Sequence, residues 1–305
     1  MKRSGEQFVQ TSTGIDVCHE TFGDAKDPAV LLVMGLGGPM GWWTDTFCEL
    51  LAGRGLFVIR YDNRDTGRST KLRQHQISKV DIVRAFAGLG GAAPYSIDDL
   101  AADAFGLLDA LNVQRFHIAG VSMGGMIAQT MAIHDHADSG DRVLSLTSIM
   151  SSTGKRTAGW QHPKVIPSML GSAGRTRDSY IARSLRTQRV IGSPAFPGDQ
   201  AVAAARATET YDRGWIASGV ARHMLAVLTQ PDRTDALAKI DLPTTVIHGL
   251  ADPLVNKSGG RATAAAIAGA ELLEIDGMGH DLPEQLYPTY VEAIAETIDR
   301  AAARR

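Results

Sequence analysis

Short apolar runs rich in Val, Ile and Leu recur along the chain, and longer amphipathic stretches fill the intervals between them. Val30 to Met34, Phe57 to Tyr61, Phe116 to Val121, Val143 to Ile149, Thr244 to His248 and Leu272 to Ile275 have the length and β-branched content of strands. Several are apolar without alternation, as strands are when helices cover both faces of their sheet. Helical spacing predicts helices over Asp45 to Leu51, Ile97 to Leu111, Gly124 to His134, Ser258 to Ile267 and Leu286 to Ala302. Ser96, with Asp99 three residues on, marks the start of the second of these. Strands and helices in alternation predict an α/β fold, a mostly parallel sheet with crossover helices on its faces. Gln7 to Thr11 and Ile15 to Phe22 come earlier and read as an antiparallel pair at one sheet edge.

The alternation stops at Ser151 and resumes near Thr234. Breaks at Pro163, Pro167, Gly171, Gly192, Pro194, Pro197 and Gly214 divide that stretch into helical pieces with no strand. The expected organisation is a core of residues 1–150 and 235–305 with a helical cap, 151–234, inserted over the carboxyl ends of the strands. Ile166, Met169, Leu170, Ile181, Leu185, Trp215, Met224 and Leu228 lean apolar, so the cap is expected to pack on itself and cover a hydrophobic pocket. A smaller insertion, Lys71 to Pro94, carries an amphipathic segment from Val80 to Leu89, for which packing is the expected role.

A 32.5 kDa chain of 305 residues buries roughly three quarters of its surface on folding, enough for a full core without staples. At 44% hydrophobic and 21% charged residues, disordered, collagen-like and coiled-coil classes are excluded. A net charge of −2 gives no electrostatic drive toward nucleic acid, and Arg304-Arg305 reads as a solvated tail. The longest apolar run, Ala29 to Met34, falls far short of the ~20 residues that span a bilayer, so no stable membrane insertion is expected. Lys2 and Arg3 are followed by polar residues where a secretion signal needs an apolar stretch, and the expected location is cytoplasmic. Cys18 and Cys48 match no metal or C-x-x-C spacing and are expected to be buried free thiols.

The densest chemistry lies at Gly120-Val121-Ser122-Met123-Gly124, between a strand and a helix. A serine on that turn is held above the strand end with strained backbone angles, and glycines two residues away avoid the collision. The hydroxyl needs an oriented base, expected in the order Ser, acid, His, each just past a later strand. Asp252 follows one late strand and His280 lies on the glycine-rich loop after the next. Asp276 and Asp281 bracket His280 and are expected to shape its loop, while His248 is expected to hold the Asp252 loop. His117, His134, His136 and His162 lie off that late loop, and His223 reads as a solvated helix residue. Two backbone donors are needed for a developing oxyanion. Met123 follows the serine, and Leu36 sits in the glycine-rich loop Met34 to Pro39 after an early strand. Tyr61 to Ser69 is dense in charge and reads as a structural turn with Asp62 paired to Arg64 or Arg68.

With these residues placed, the chain resembles the α/β-hydrolase superfamily over nearly its whole length. Tyr61 to Ser69, Ser122 to Gln129 and the insertion segment Tyr211-Asp212-Arg213 through Ala221-Arg222-His223 resemble the group of aclacinomycin methylesterase and actinobacterial esterase/lipase-like hydrolases. The chain departs from the commoner family pattern at Met34, where a histidine often precedes the glycine. The resemblance implies Ser122 as nucleophile, Asp252 as acid, His280 as base, and Leu36 and Met123 as oxyanion donors. The expected activity is hydrolysis of small to medium apolar carboxylic esters, with no metal or organic cofactor; the alternatives are a carbon-carbon bond hydrolase of the same fold and a non-catalytic ligand-binding homologue. The expected partner is a small-molecule ester, and the expected state is a monomer or homodimer.

Overall fold

The computed structural model describes residues 2–138, 140–167 and 176–304. Eight strands form its central sheet: β1 (Gln7–Gln10), β2 (Asp16–Phe22), β3 (Ala29–Val33), β4 (Phe57–Tyr61), β5 (Phe116–Val121), β6 (Val143–Ile149), β7 (Thr244–Gly249) and β8 (Glu271–Ile275). Their order across the sheet is β1-β2-β4-β3-β5-β6-β7-β8. The β1–β2 and β2–β4 pairs are antiparallel, as expected at that edge, and the remaining pairs are parallel.

Side chains alternate across a strand, and here the alternation feeds two cores. Leu31, Val33, Ile59, Ile118 and Leu146 face α3 (Ile97–Ala110) and α4 (Met123–Asp138). Val30, Leu32, Val58, Ala119 and Ile247 face α1 (Asp45–Ala52) and the C-terminal helix Tyr287–Ala302. Ser96 caps α3 through the Asp99 amide, and the Asp99 carboxylate returns the bond. α4 runs four residues past the predicted His134. Its Asp135 carboxylate accepts the Val143 amide at 3.0 Å, so a bond to β6 holds a polar helix end that sequence reads as a stop.

Between β6 and β7 the described residues contain no strand. They form α5 (Arg177–Ile191), α6 (Gln200–Asp212), α7 (Ala217–Thr229) and the single turn α8 (Thr234–Leu237). Met169, Leu170 and the Gly171 break lie outside the described residues, while Ile166, Ile181, Leu185, Trp215, Met224 and Leu228 are half-buried. In the smaller insertion α2 (Lys79–Phe86) packs Ala85 inward, whereas Val80, Val83 and Leu89 are exposed, so packing accounts for one of its faces. Cys18 and Cys48 are buried and unpaired. Burial pushes both thiols up to about 12, which leaves neither as a thiolate at neutral pH. Among the described residues no helix is long and apolar enough to cross a membrane.

One feature of the topology positions the site. From β3 the chain goes to β4 on one side, and β5 then adds on β3's other side. The loops leaving β3 and β5 therefore diverge and open a crevice at their carboxyl ends, where open α/β sheets bind ligands.

Candidate active site

Ser122 stands at that crevice, directly after β5, with φ of 56°. The left-handed backbone costs a non-glycine residue about 1–2 kcal/mol, and neighbours hold it in place. The Ser122 amide donates to Ile149 O at 2.9 Å, and its carbonyl accepts from the Gly125 amide and the Ser151 hydroxyl. So sharp a turn brings backbone against backbone. A Cβ on Gly120 would lie 2.2 Å from Gly124 O, and one on Gly124 would lie 2.1 Å from Val33 O. Both opposing atoms belong to rigid main chain, so Gly120→Ala is expected to destabilise the protein by about 3 kcal/mol or more, at the upper end of overpacking costs. A urea midpoint unchanged from the parent would contradict this.

The late loops converge on the same point. His280, after β8, places Nε2 3.0 Å from Ser122 Oγ and Nδ1 2.7 Å from Asp252 Oδ2. Asp252 is buried, and its other oxygen, Oδ1, accepts the Leu254 and Val255 amides at 2.8 and 2.9 Å. One carboxylate oxygen thus fixes the side chain on its own turn and leaves the other for the imidazole. His248 holds the same turn, its Nε2 meeting Val255 O at 2.8 Å, and burial keeps its pKa low. Asp276 is exposed, and no bond joins it to His280. Asp281 braces the His280 loop, accepting from Ser193 Oγ, which in turn accepts the Gly279 amide at 2.8 Å. The His280 amide donates to Ile191 O at 2.7 Å, so the end of α5 also grips this loop.

On the opposite side runs the glycine loop that follows β3. A Cβ on Gly35 would lie 3.2 Å from Ser122 Cβ, so this backbone passes directly beside the serine. Met123 opens α4, where a first-turn amide has no partner within the helix. Leu36 is half-buried against the α3–α4 core.

Two sequence readings need correction. Asp62 is not paired with the guanidinium of Arg64 or Arg68. Its Oδ1 accepts the Met40 amide at 2.7 Å, and its Oδ2 accepts the Arg68 amide at 2.9 Å and Arg213 at 2.8 Å. Arg64 instead forms a two-pronged pair with Asp103 at 2.6 Å per contact, and Arg68 pairs with Glu6. The turn folds the Arg68 amide onto Asp62, and the carboxylate's charge pairs with Arg213, between α6 and α7, rather than with a sequence neighbour. Nor is His223 solvated. It is fully buried on α7, next to Arg222, which makes two 2.7 Å contacts with Asp65. Burial opposes ionisation of Asp65, but Arg222, the Tyr95 hydroxyl and the Leu72 amide outweigh it and hold the carboxyl below its ordinary range. Sequence reasoning missed the role of Arg213, Arg222 and His223; for Arg222 and His223 the available signal was two polar residues on an otherwise apolar stretch, Val220 to Leu228.

A serine directly after a strand, in line with a buried histidine and carboxylate at the switch point of a mostly parallel sheet, is the layout of a hydrolase built on an α/β scaffold. A family model described as the alpha/beta hydrolase fold matches residues 28–285, and the chain belongs to that family. Rhodomycin D methylesterase DauP of Streptomyces sp. (strain C5) is 30% identical to it over 93% of this chain and 95% of its own. 3-Oxoadipate enol-lactonase 2 of Acinetobacter baylyi is 27% identical over 94% of this chain and 96% of its own. Among solved structures, a hydrolase from Pseudomonas aeruginosa PA01 matches with a TM-score of 0.73 and 25% identity, covering 97% of this chain and 98% of that one.

Proposed function

We propose that the chain is a carboxylic ester hydrolase with Ser122 as nucleophile, His280 as base and Asp252 as the acid that orients the base. The observation that carries this reading is the continuous hydrogen-bonded line from Ser122 Oγ through the His280 ring to Asp252, at 3.0 and 2.7 Å. Asp252 accepts a hydrogen bond from Nδ1–H, which leaves the Nε2 lone pair facing the serine. In the first half of the reaction Ser122 Oγ attacks the ester carbonyl and its proton passes to His280 Nε2. The carbonyl oxygen becomes an anion, for which the Met123 and Leu36 amides are the proposed donors. The C–O bond to the alcohol then breaks, His280 protonates the departing oxygen, and an acyl-Ser122 ester remains. In the second half water repeats the sequence and releases the acid.

The names of the relatives support the reaction class, since a methyl ester and an enol lactone are both carboxylic esters and differ in whether the leaving oxygen stays tethered. Residues 151–234 act in this reading as a cap over a core of 1–150 and 235–305, and the half-buried apolar side chains of the cap favour a small to medium apolar ester. A small-molecule substrate fits a chain whose net charge of −2 gives no electrostatic drive toward nucleic acid, and a cytoplasmic location belongs to the same reading.

The test is labelling by a fluorophosphonate alongside turnover of p-nitrophenyl esters of graded acyl length. The expected result is a single adduct on the tryptic peptide containing Ser122 and hydrolysis of the acetate and butyrate esters. An adduct elsewhere, or turnover unaffected by full labelling of Ser122, would overturn the assignment.

A further inference from the structure

The glycine loop after β3 has little of its own to hold it, because Gly35, Gly37 and Gly38 lack side chains and glycine is the residue with most backbone freedom. Three hydrogen bonds fix its stretch from Met34 to Gly38. At its start, Asn63 Nδ2 donates to Met34 O at 3.0 Å, which orients the Met34–Gly35 peptide plane. Within it, the Gly38 amide donates to Gly35 O at 3.2 Å. At its far side, the Gly37 amide donates to His223 Nδ1 at 3.2 Å, which orients the Leu36–Gly37 plane. The Gly35–Leu36 plane, which carries the Leu36 amide, lies between two planes fixed from outside the loop. Its carbonyl is turned into the loop toward Gly38. In a trans peptide the N–H points the opposite way, so the Leu36 amide points out of the turn.

The bond from His223 comes from α7, between β6 and β7. Its ring is fully buried, and Nε2 lies 2.8 Å from Arg64 O. A backbone amide only donates and a carbonyl only accepts, so this pair of contacts assigns a neutral ring with its proton on Nε2. The Asp65 carboxylate, the Arg222 and Arg64 guanidinium groups and the edge of the Tyr95 ring surround it. Burial outweighs the attraction of Asp65 and brings the ring down to about 4, so Nδ1 remains an acceptor throughout the neutral range. Val220, one turn earlier, packs on the same loop: a Cβ on Gly37 would stand 3.1 Å from its Cγ2.

We propose that His223 is a positioning residue for ester hydrolysis: by accepting the Gly37 amide it sets the peptide plane beside Leu36 and so aims the Leu36 N–H at the oxyanion. This rests on the reading of Leu36 as an oxyanion donor. It makes α7 a working part of the site, because the helix supplies the acceptor that completes the loop.

Two substitutions separate this role from bulk stability. In His223→Asn the side-chain carbonyl reaches the place of Nδ1 and keeps the acceptor for Gly37. In His223→Gln the amide reaches the place of Nε2, keeps the link to Arg64 and leaves the Gly37 amide unpaired. The expected result is a kcat for His223→Gln lower by about 10- to 100-fold with KM within about 3-fold, the scale of a misplaced catalytic donor. His223→Asn is expected to stay within about 5-fold of the parent. Amide exchange at Gly37, followed by mass spectrometry, is expected to speed up in the Gln variant and not in the Asn variant. Equal losses of kcat in both variants, a loss that follows the thermal midpoint rather than the acceptor, or Gly37 exchange indifferent to the substitution would each overturn the proposal. Failure of the ester-hydrolase reading looks different: the parent chain would then turn over no ester, or do so without Ser122. Gly37 exchange decides even then whether His223 holds the loop.

Discussion

Replacing Ser122 by alanine is expected to lower kcat on p-nitrophenyl butyrate by about 10⁵- to 10⁶-fold, the loss found when the nucleophile of such a relay is removed. The substitution is unusually clean. Alanine keeps the Cβ, and φ of 56° is no more strained for alanine than for serine, so the turn and the bonds of the Ser122 amide and carbonyl persist. What disappears is one oxygen, 3.0 Å from His280 Nε2. KM is expected to change little because no atom of the pocket wall is lost, and the thermal midpoint is expected within about 2 °C of the parent, corresponding to less than about 1 kcal/mol. The two proposed oxyanion donors would still favour attack by water, which leaves residual catalysis about 10³- to 10⁴-fold above the uncatalysed rate. A variant with more than about 1% of parental kcat would assign hydrolysis to another group. A large fall in the midpoint together with lost activity would point to a collapsed turn instead.

The parts of this arrangement differ in how far they can be read from the chain. β3, β5 and β7 are legible because both of their faces are covered, so every residue from Ala29 to Val33 is apolar and buried. Ser122 and Asp252 each follow such a strand, His280 follows the half-covered edge strand β8, and the sheet itself supplies the long-range geometry that sequence spacing lacks. The pairing of Asp62 is not legible. Arg213 stands 151 positions later, and it reaches Asp62 only because the chain returns from the helices after β6 across the loop that follows β4. Local charge spacing pointed to Arg64 or Arg68, whose guanidinium groups are taken by Asp103 and Glu6. His223 is hidden for a related reason. α7 buries Arg222 and His223 together with Leu225 and Ala226, so polar and apolar residues share the inward side and periodicity does not mark a face. The site is therefore assembled at two levels. The sheet fixes the proposed nucleophile, base and acid, and contacts from the segment after β6 fix the loops around them: Ile191 and Ser193 on the His280 loop, His223 on the glycine loop.

The carboxylate offers the second large effect. Asp252→Asn is expected to lower kcat by about 10⁴-fold with little change in fold or KM, as in the serine-protease template. Asparagine retains a carbonyl oxygen, which continues to accept the Leu254 and Val255 amides now bound to Asp252 Oδ1 at 2.8 and 2.9 Å. That anchoring forces the new NH₂ into the place of Oδ2, 2.7 Å from His280 Nδ1. Facing a donor, Nδ1 must accept, so the ring's proton moves to Nε2. Nε2–H then donates to Ser122 Oγ, 3.0 Å away, and no lone pair remains there to take the serine proton. The loss is therefore one of tautomer rather than of structure, and nuclear magnetic resonance of the ring nitrogens reports it directly, with Nδ1 protonated in the parent and Nε2 in the variant. Asp276→Asn serves as the control: exposed and unconnected to the ring, it is expected to leave kcat within about twofold. The opposite ranking, with Asp276→Asn inactive and Asp252→Asn unimpaired, would transfer the acid role to Asp276. A full loss in Asp252→Asn with the parental tautomer intact would leave the tautomer account without support, because the carboxylate's charge would then be the part the base requires.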